Sequence, residues 1–189
     1  MEFICARPDI VRSSHQVWLL DHWNSLRGDA PLPNWQDLCL EGVAVPLDDL
    51  SYTRVVGLDG ASRYQIQFHG ARIAEAYGRI NCVGKFLDEL LPAAYRDSAL
   101  STYHQVVNGK LPVYTVSDLR DCSGRIVHYE RLLLPFSVDG LNVERILASL
   151  ETVSPEGAFE NRELMTSPAR PPAFALCATI QHESGLRLD

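Results

Sequence analysis

Alternation of apolar and polar side chains is clearest at residues 63–69, where Tyr64, Ile66 and Phe68 fall on one face of a strand and Gln65, Gln67 and His69 on the other. A strand so patterned buries one face, and this register turns the aromatic side toward an interior. Residues 52–56 read as the strand before it, and Leu58-Asp59-Gly60-Ala61-Ser62 as the turn between them. Helical patterning follows. Residues 71–77 predict a short helix stopped by Gly78, and residues 84–91 another turn or two closed by Pro92. A longer helix is predicted over 93–108, with Leu100, Tyr103, His104 and Val107 sharing a face through spacings of three and four. Strand patterning then returns at 113–120, 126–138 and 143–153. The turn sequences Asp121-Cys122-Ser123-Gly124 and Asp139-Gly140-Leu141-Asn142 join these runs into an antiparallel meander. The result is an α+β chain of five strands, with its helices inserted between the second and third.

Before this block, residues 14–27 predict a helix, with Ser13 and Ser14 as caps, Gln16 placed as in a capping box, and Gly28 as the stop. Val17, Trp18, Leu19, Leu20, Trp23 and Leu26 spread over more of its circumference than one narrow stripe. Such a helix wants two partners: its own sheet and a second copy of the chain, with Trp18, Leu19 and Trp23 as interface candidates. Pro31, Pro33 and Pro46 break up the connector that follows. Three segments are therefore expected: helix and connector over 1–50, the folded domain over 51–153, and a loosely structured tail over 154–189. Within the tail, residues 174–180 form an apolar island that packs on the body or binds a partner.

Composition narrows the function. With 24 acidic against 17 basic residues, a formal charge of -7 and no Lys/Arg run, the chain has no footprint for nucleic acid or an anionic membrane surface. No apolar run approaches the roughly 20 residues of a membrane-spanning helix, and the first residues do not read as a secretory signal. Cys5, Cys39, Cys82, Cys122 and Cys177 are scattered without a C-x-x-C spacing, which suggests neither a disulfide framework nor a zinc site. The expected compartment is the cytoplasm.

Four pieces of sequence stand in a recognisable order. They are Leu20-Asp21-His22-Trp23-Asn24-Ser25-Leu26-Arg27-Gly28; Gln67-Phe68-His69-Gly70 leading into Tyr77-Gly78; Val83-Gly84-Lys85; and Tyr129-Glu130-Arg131-Leu132-Leu133-Leu134-Pro135-Phe136-Ser137. Together with the element order, they make the chain resemble the PAS superfamily over residues 16–153. It is most similar there to short, single-domain bacterial PAS proteins that carry an N-terminal helix. The resemblance implies a five-stranded antiparallel sheet around an interior, and signal reception or protein docking, often through homodimers, in place of catalysis. It names no ligand, because PAS domains take haem, flavin, small metabolites or nothing. With Tyr64, Ile66, Phe68, Tyr77, Leu87, Leu100, His104 and Val107 as cavity candidates, a small apolar ligand is the expectation.

Specific chemistries are weighed on the same residues. Asn81-Cys82 is similar to the reactive motif of flavin photoreceptor PAS domains, but register puts Leu87 at the cysteine position, so no sulfur nucleophile is available for adduct formation. His104 is placed where haem-binding PAS sensors take an axial ligand, which makes a haem-based gas sensor one alternative; the simpler reading is a histidine at the edge of an amphipathic stripe. Asp118, His128, Glu130 and Arg131 would be an acid–base set, except that alternation puts Arg131 on the opposite face from His128 and Glu130. Cross-strand ion pairs on a solvated or dimer-facing sheet surface account for them better. His15 and His22 are too far apart for one metal. A small cone-fold enzyme resembling ketosteroid isomerase is the remaining alternative, and helices interrupting the sheet argue against it. The expected protein is thus a non-enzymatic sensory or regulatory module, a homodimer that docks to an unidentified regulatory protein.

Overall fold

In the computed structural model, residues 2–40, 45–57, 62–78, 81–166 and 172–181 are described. The predicted turn at 58–61, and Pro168 and Pro171 of the tail, lie outside them. The elements are β1 (Ile4–Ala6), α1 (Ser14–Arg27), β2 (Leu50–Val56), β3 (Arg63–His69), α2 (Ala71–Ala76), α3 (Leu87–Leu90), α4 (Arg96–Gly109), β4 (Val113–Arg120), β5 (Ile126–Phe136), β6 (Arg145–Val153) and β7 (Ala173–Ile180). They form one sheet of order β1-β7-β4-β5-β6-β2-β3, seven strands among the described residues.

The predicted five strands are the contiguous part β4-β5-β6-β2-β3, and α2, α3 and α4 lie between β3 and β4 in the chain as expected. The strand count needs correction. The apolar island assigned to a loose tail is β7, antiparallel to β4 through pairs such as Thr115 with Cys177, and β1 adds in parallel beside it. An unpaired β4 edge would leave a row of N–H and C=O groups exposed, and the apolar island covers it. Helix bounds also shift: α3 begins at Leu87, and α4 at Arg96 after a turn around Pro92.

At the centre of the sheet both faces are covered. On β5, Glu130, Leu132, Leu134 and Phe136 alternate with Tyr129, Arg131 and Leu133. The first set faces α1, the second α4. α1 is fastened by Trp23, whose indole Nε1 donates to Pro135 O at 2.6 Å, and by Gln16, whose amide donates to Glu130 O and Ser149 O. Gln16 is therefore not part of a capping box, and the Ser13 hydroxyl donates to Glu151 instead of to its own helix. Leu19 and Trp23, predicted for an interface between copies, belong to the core at 1% and 2% exposure. Val17 and Trp18 are the residues that stand outward, with Trp18 stacked on His22 at 4.9 Å.

A β-bulge corrects the register of β3. Tyr52 pairs with Phe68 but Thr53 pairs with Ile66, which leaves Gln67 as the extra residue. Beyond that point every side chain changes face. Phe68 stacks on Tyr52 in an aromatic chain running through Trp35 to Phe136, on the α1 side of the sheet. His69 turns inward instead, its ring 5.5 Å from that of Tyr77. Next to it, Gly70 passes so close to the Leu47 and Asp48 carbonyl oxygens that a Cβ would collide with backbone.

Candidate functional site

The inner face of the sheet and α2, α3 and α4 enclose an interior dominated by tyrosine. Tyr64 and Ile66 reach it from β3, Tyr129 and Arg131 from β5, Tyr77 from the end of α2, and Tyr95 and Tyr103 from the start and middle of α4; all are buried. The α4 face turned inward is Ala99, Thr102, Tyr103 and Val106. The predicted face was rotated from this by about one position. Leu100, His104 and Val107 consequently lie at the half-buried flank.

At the centre is a slot lined by Tyr77, Leu91, Tyr95, Ala99, Ser117, Tyr129, Arg131, Met165, Pro172 and Phe174. Its volume is about 10 Å³, room for roughly one water molecule. Two larger depressions, of about 640 and 570 Å³, open to solvent beside Arg72 and Cys177 and are grooves outside this interior. The slot has a lid from the C-terminal segment. Met165 N donates to Ala76 O and Glu163 N to Glu75 O, which seats the chain over the end of α2, and β7 brings Phe174 opposite Ser117.

The slot's walls are apolar but several of its polar atoms are not satisfied. Arg131 Nη2 donates to Thr102 Oγ1 at 2.6 Å, and the guanidinium carbon lies 5.4 Å from the Tyr103 ring centre. Arg131 Nε, Tyr95 Oη and Tyr129 Oη are buried with no hydrogen-bond partner among the described residues. Burial raises the pKa of Tyr77, Tyr95, Tyr103 and Tyr129, that of Tyr95 to about 12. The Arg131 charge opposes the shift at Tyr77, Tyr103 and Tyr129. These hydroxyls therefore stay protonated at neutral pH and each keeps one O–H that can be donated.

Of the predicted cavity residues, Tyr77 borders the slot, while Tyr64, Ile66 and Leu87 are buried in the same core away from it. Phe68 is on the opposite face of the sheet. His104 Nδ1 is 2.7 Å from the Tyr64 hydroxyl. Cys82 is buried at the start of the α2–α3 connection, and Leu87 fills the position considered for a reactive thiol. Asp118 and His128 form the predicted cross-strand pair, at 2.7 Å. Glu130 and Arg131 are not solvated, however: Glu130 accepts from the Tyr114 hydroxyl at 2.6 Å under α1, and Arg131 points the other way, into the slot. Among the described residues no group of three or more His, Cys, Asp or Glu side chains could hold a metal ion. No helix among them is long and apolar enough to cross a membrane.

Tyr95, Ser117, Tyr129, Arg131 and Thr102 are the site residues that sequence reading missed. One signal was present: strand alternation set Arg131 on the same face as Tyr129 and Leu133, in a run otherwise apolar. A charge in such a position either has a buried partner or is there for a ligand.

Comparison with known proteins agrees with this architecture. The sequence model of one family, described as the PAS domain, matches residues 11–151. The matched stretch begins before α1 and ends within β6. No curated protein matches the chain.

Proposed function

The chain belongs to the PAS-domain family, and from that membership we propose that it is a non-catalytic sensory or regulatory module, docking to another protein under control of its interior. One observation carries this reading: residues that close the slot belong to, or directly precede, a strand of the sheet, β7. Met165, Pro172 and Phe174 line the slot, and the strand that starts at Ala173 continues along β4 to Ile180. Anything that enlarges the slot must displace that segment, because an interior packed to this density cannot expand in place. A small ligand would thereby change the surface offered by the first part of β7, which β1 does not pair. The form of docking to test first is self-association through the outward Val17 and Trp18 of α1.

The test fills the slot from within. Ala99→Leu adds more volume than about 10 Å³ can hold, so it should push Met165 and Phe174 outward. Amide exchange should then quicken over residues 173–180 and stay unchanged in β5 and β6. Affinity purification from the native cell with the wild-type chain and with Ala99→Leu should recover at least one protein in different amounts. Equal recovery of every partner by the two chains would overturn regulated docking.

A further inference from the structure

Among the charged groups of this molecule, Arg131 is set apart by what does not surround it. It is 6% exposed, in the middle of a central strand, and the groups that accept from it are neutral hydroxyls, those of Thr102 and Tyr103. A guanidinium carries five N–H donors and cannot lose its charge at any physiological pH. Burying it without an anion is costly, and the usual remedy in a protein interior is a carboxylate in hydrogen-bond contact. The carboxylate adjacent to it in sequence, Glu130, is on the other face of the sheet, bonded to Tyr114 and 3.7 Å from Arg12. No ion pair involving Arg131 exists among the described residues.

The hydroxyls around the same slot have a matching need. Tyr95 and Tyr129 are each 5% exposed and their hydroxyls lack a partner among the described residues, as does Arg131 Nε. Arg131 can only donate and each protonated hydroxyl has one O–H to give, so a single acceptor can satisfy all three groups, and a negatively charged one also balances the guanidinium. Next to them, Leu91, Ala99, Met165 and Phe174 offer an apolar wall.

We infer that Arg131, with Tyr95 and Tyr129, anchors a small organic monocarboxylate in this slot, its hydrocarbon part against Leu91, Ala99, Met165 and Phe174. A carboxylate suits the planar fork of a guanidinium, which it can accept in bidentate fashion while leaving lone pairs for two phenols. One cation matches one negative charge, which favours a monocarboxylate over phosphate. The ligand so defined is amphipathic and differs from the purely apolar one expected from the sequence. The inference rests on the reading of the interior as the sensing site, and it adds a mechanism. The slot holds about one water, so a ligand with a hydrocarbon body must lift Met165 and Phe174 and with them the start of β7.

The experiment uses the full chain in buffer free of carboxylates. Acetate, butyrate and benzoate are titrated by calorimetry and thermal shift, each beside its neutral amide, with inorganic phosphate as a further arm. At least one acid should bind and raise Tm while its amide does not. Arg131→Met should weaken that acid by about tenfold to a hundredfold, the range for a hydrogen bond to a charged group, with smaller losses for Tyr95→Phe and Tyr129→Phe. The bound acid should also alter amide exchange at 173–180. Equal binding of acid and amide, binding of phosphate alone, an unaffected Arg131→Met, or no binding by any of the acids would each overturn the assignment. Should Arg131→Met fail to fold, the acid–amide comparison on the wild type decides alone. Binding of the amides with loss in Ala99→Leu would remove the carboxylate and leave the sensing reading standing; that reading fails on the partner comparison above, which needs no carboxylate.

Discussion

His69 is uncharged in the folded protein well below neutral pH, because burial lowers its pKa from 6.5 to about 4. Above pH 6.5 it is neutral folded or unfolded and has no effect on the balance. As pH falls below that, the unfolded chain takes up a proton that the folded chain refuses until about pH 4, so stability declines across this window. The loss is at most about 3 kcal/mol, an upper bound since the ring retains some exposure. Urea unfolding of wild type and His69→Gln between pH 4 and 7 should show the steeper decline in the wild type; parallel curves would refute it. The inward position of His69 was not legible in the sequence. Alternation assigned Tyr64 and Ile66 correctly to the interior, but the single extra residue at Gln67 exchanges the faces of Phe68 and His69. A bulge is set by pairing with β2, and no residue type within 63–69 announces it. Arg131 shows the complementary case. Its face was readable from alternation, but whether that face held solvent or core depended on α4 closing over it.

At the scale of elements, α1 was located to the residue, since Ser13, Gly28 and the apolar spacing between them are local signals. Which of its apolar residues face the sheet was not, because they occupy more than one stripe. The structure divides them: Leu19, Leu20 and Trp23 go to the core, and Val17 and Trp18 remain outside. This division changes how self-association should be probed. Removing the helix would strip the α1 face of the sheet, while Trp18→Ser touches only the outward ridge. That substitution gives up the stacking on His22 and should cost no more than about 1–2 kcal/mol, with the core contacts of Leu19, Leu20 and Trp23 kept. Its sedimentation mass should drop from that of a dimer to that of a monomer; an unaltered mass, or a wild type that is already monomeric, would refute the self-association. For α4 the error was smaller. A stripe centred on Tyr103 was right, but the helix is turned so that Thr102 and Val106 point inward, and His104 is left at the rim beside Tyr64.

For the molecule as a whole, the C-terminal segment matters most. Residues 177–180 are buried, and β7 supplies β4 with a neighbour along most of its length. A chain ended after residue 171 should lose about 3–5 kcal/mol from apolar burial at Phe174, Leu176, Ala178 and Ile180. Its exposed β4 edge should make it associate with rising concentration in light scattering. A truncated chain as stable and as dispersed as the full one would show that β7 is not integral to the fold. The sequence alone determined element identity and order, the turns and the α+β class, along with the family they resemble, because capping, glycine punctuation and period-two or period-3.6 patterning act within a few residues of the chain. Only the tertiary structure decided that the apolar island joins the sheet, that the bulge reverses the end of β3, and that Arg131 is buried without a counter-ion among the described residues. Those outcomes depend on contacts between segments far apart in the chain, Arg131 with Thr102 and Thr115 with Cys177 among them, and no local pattern encodes such a contact.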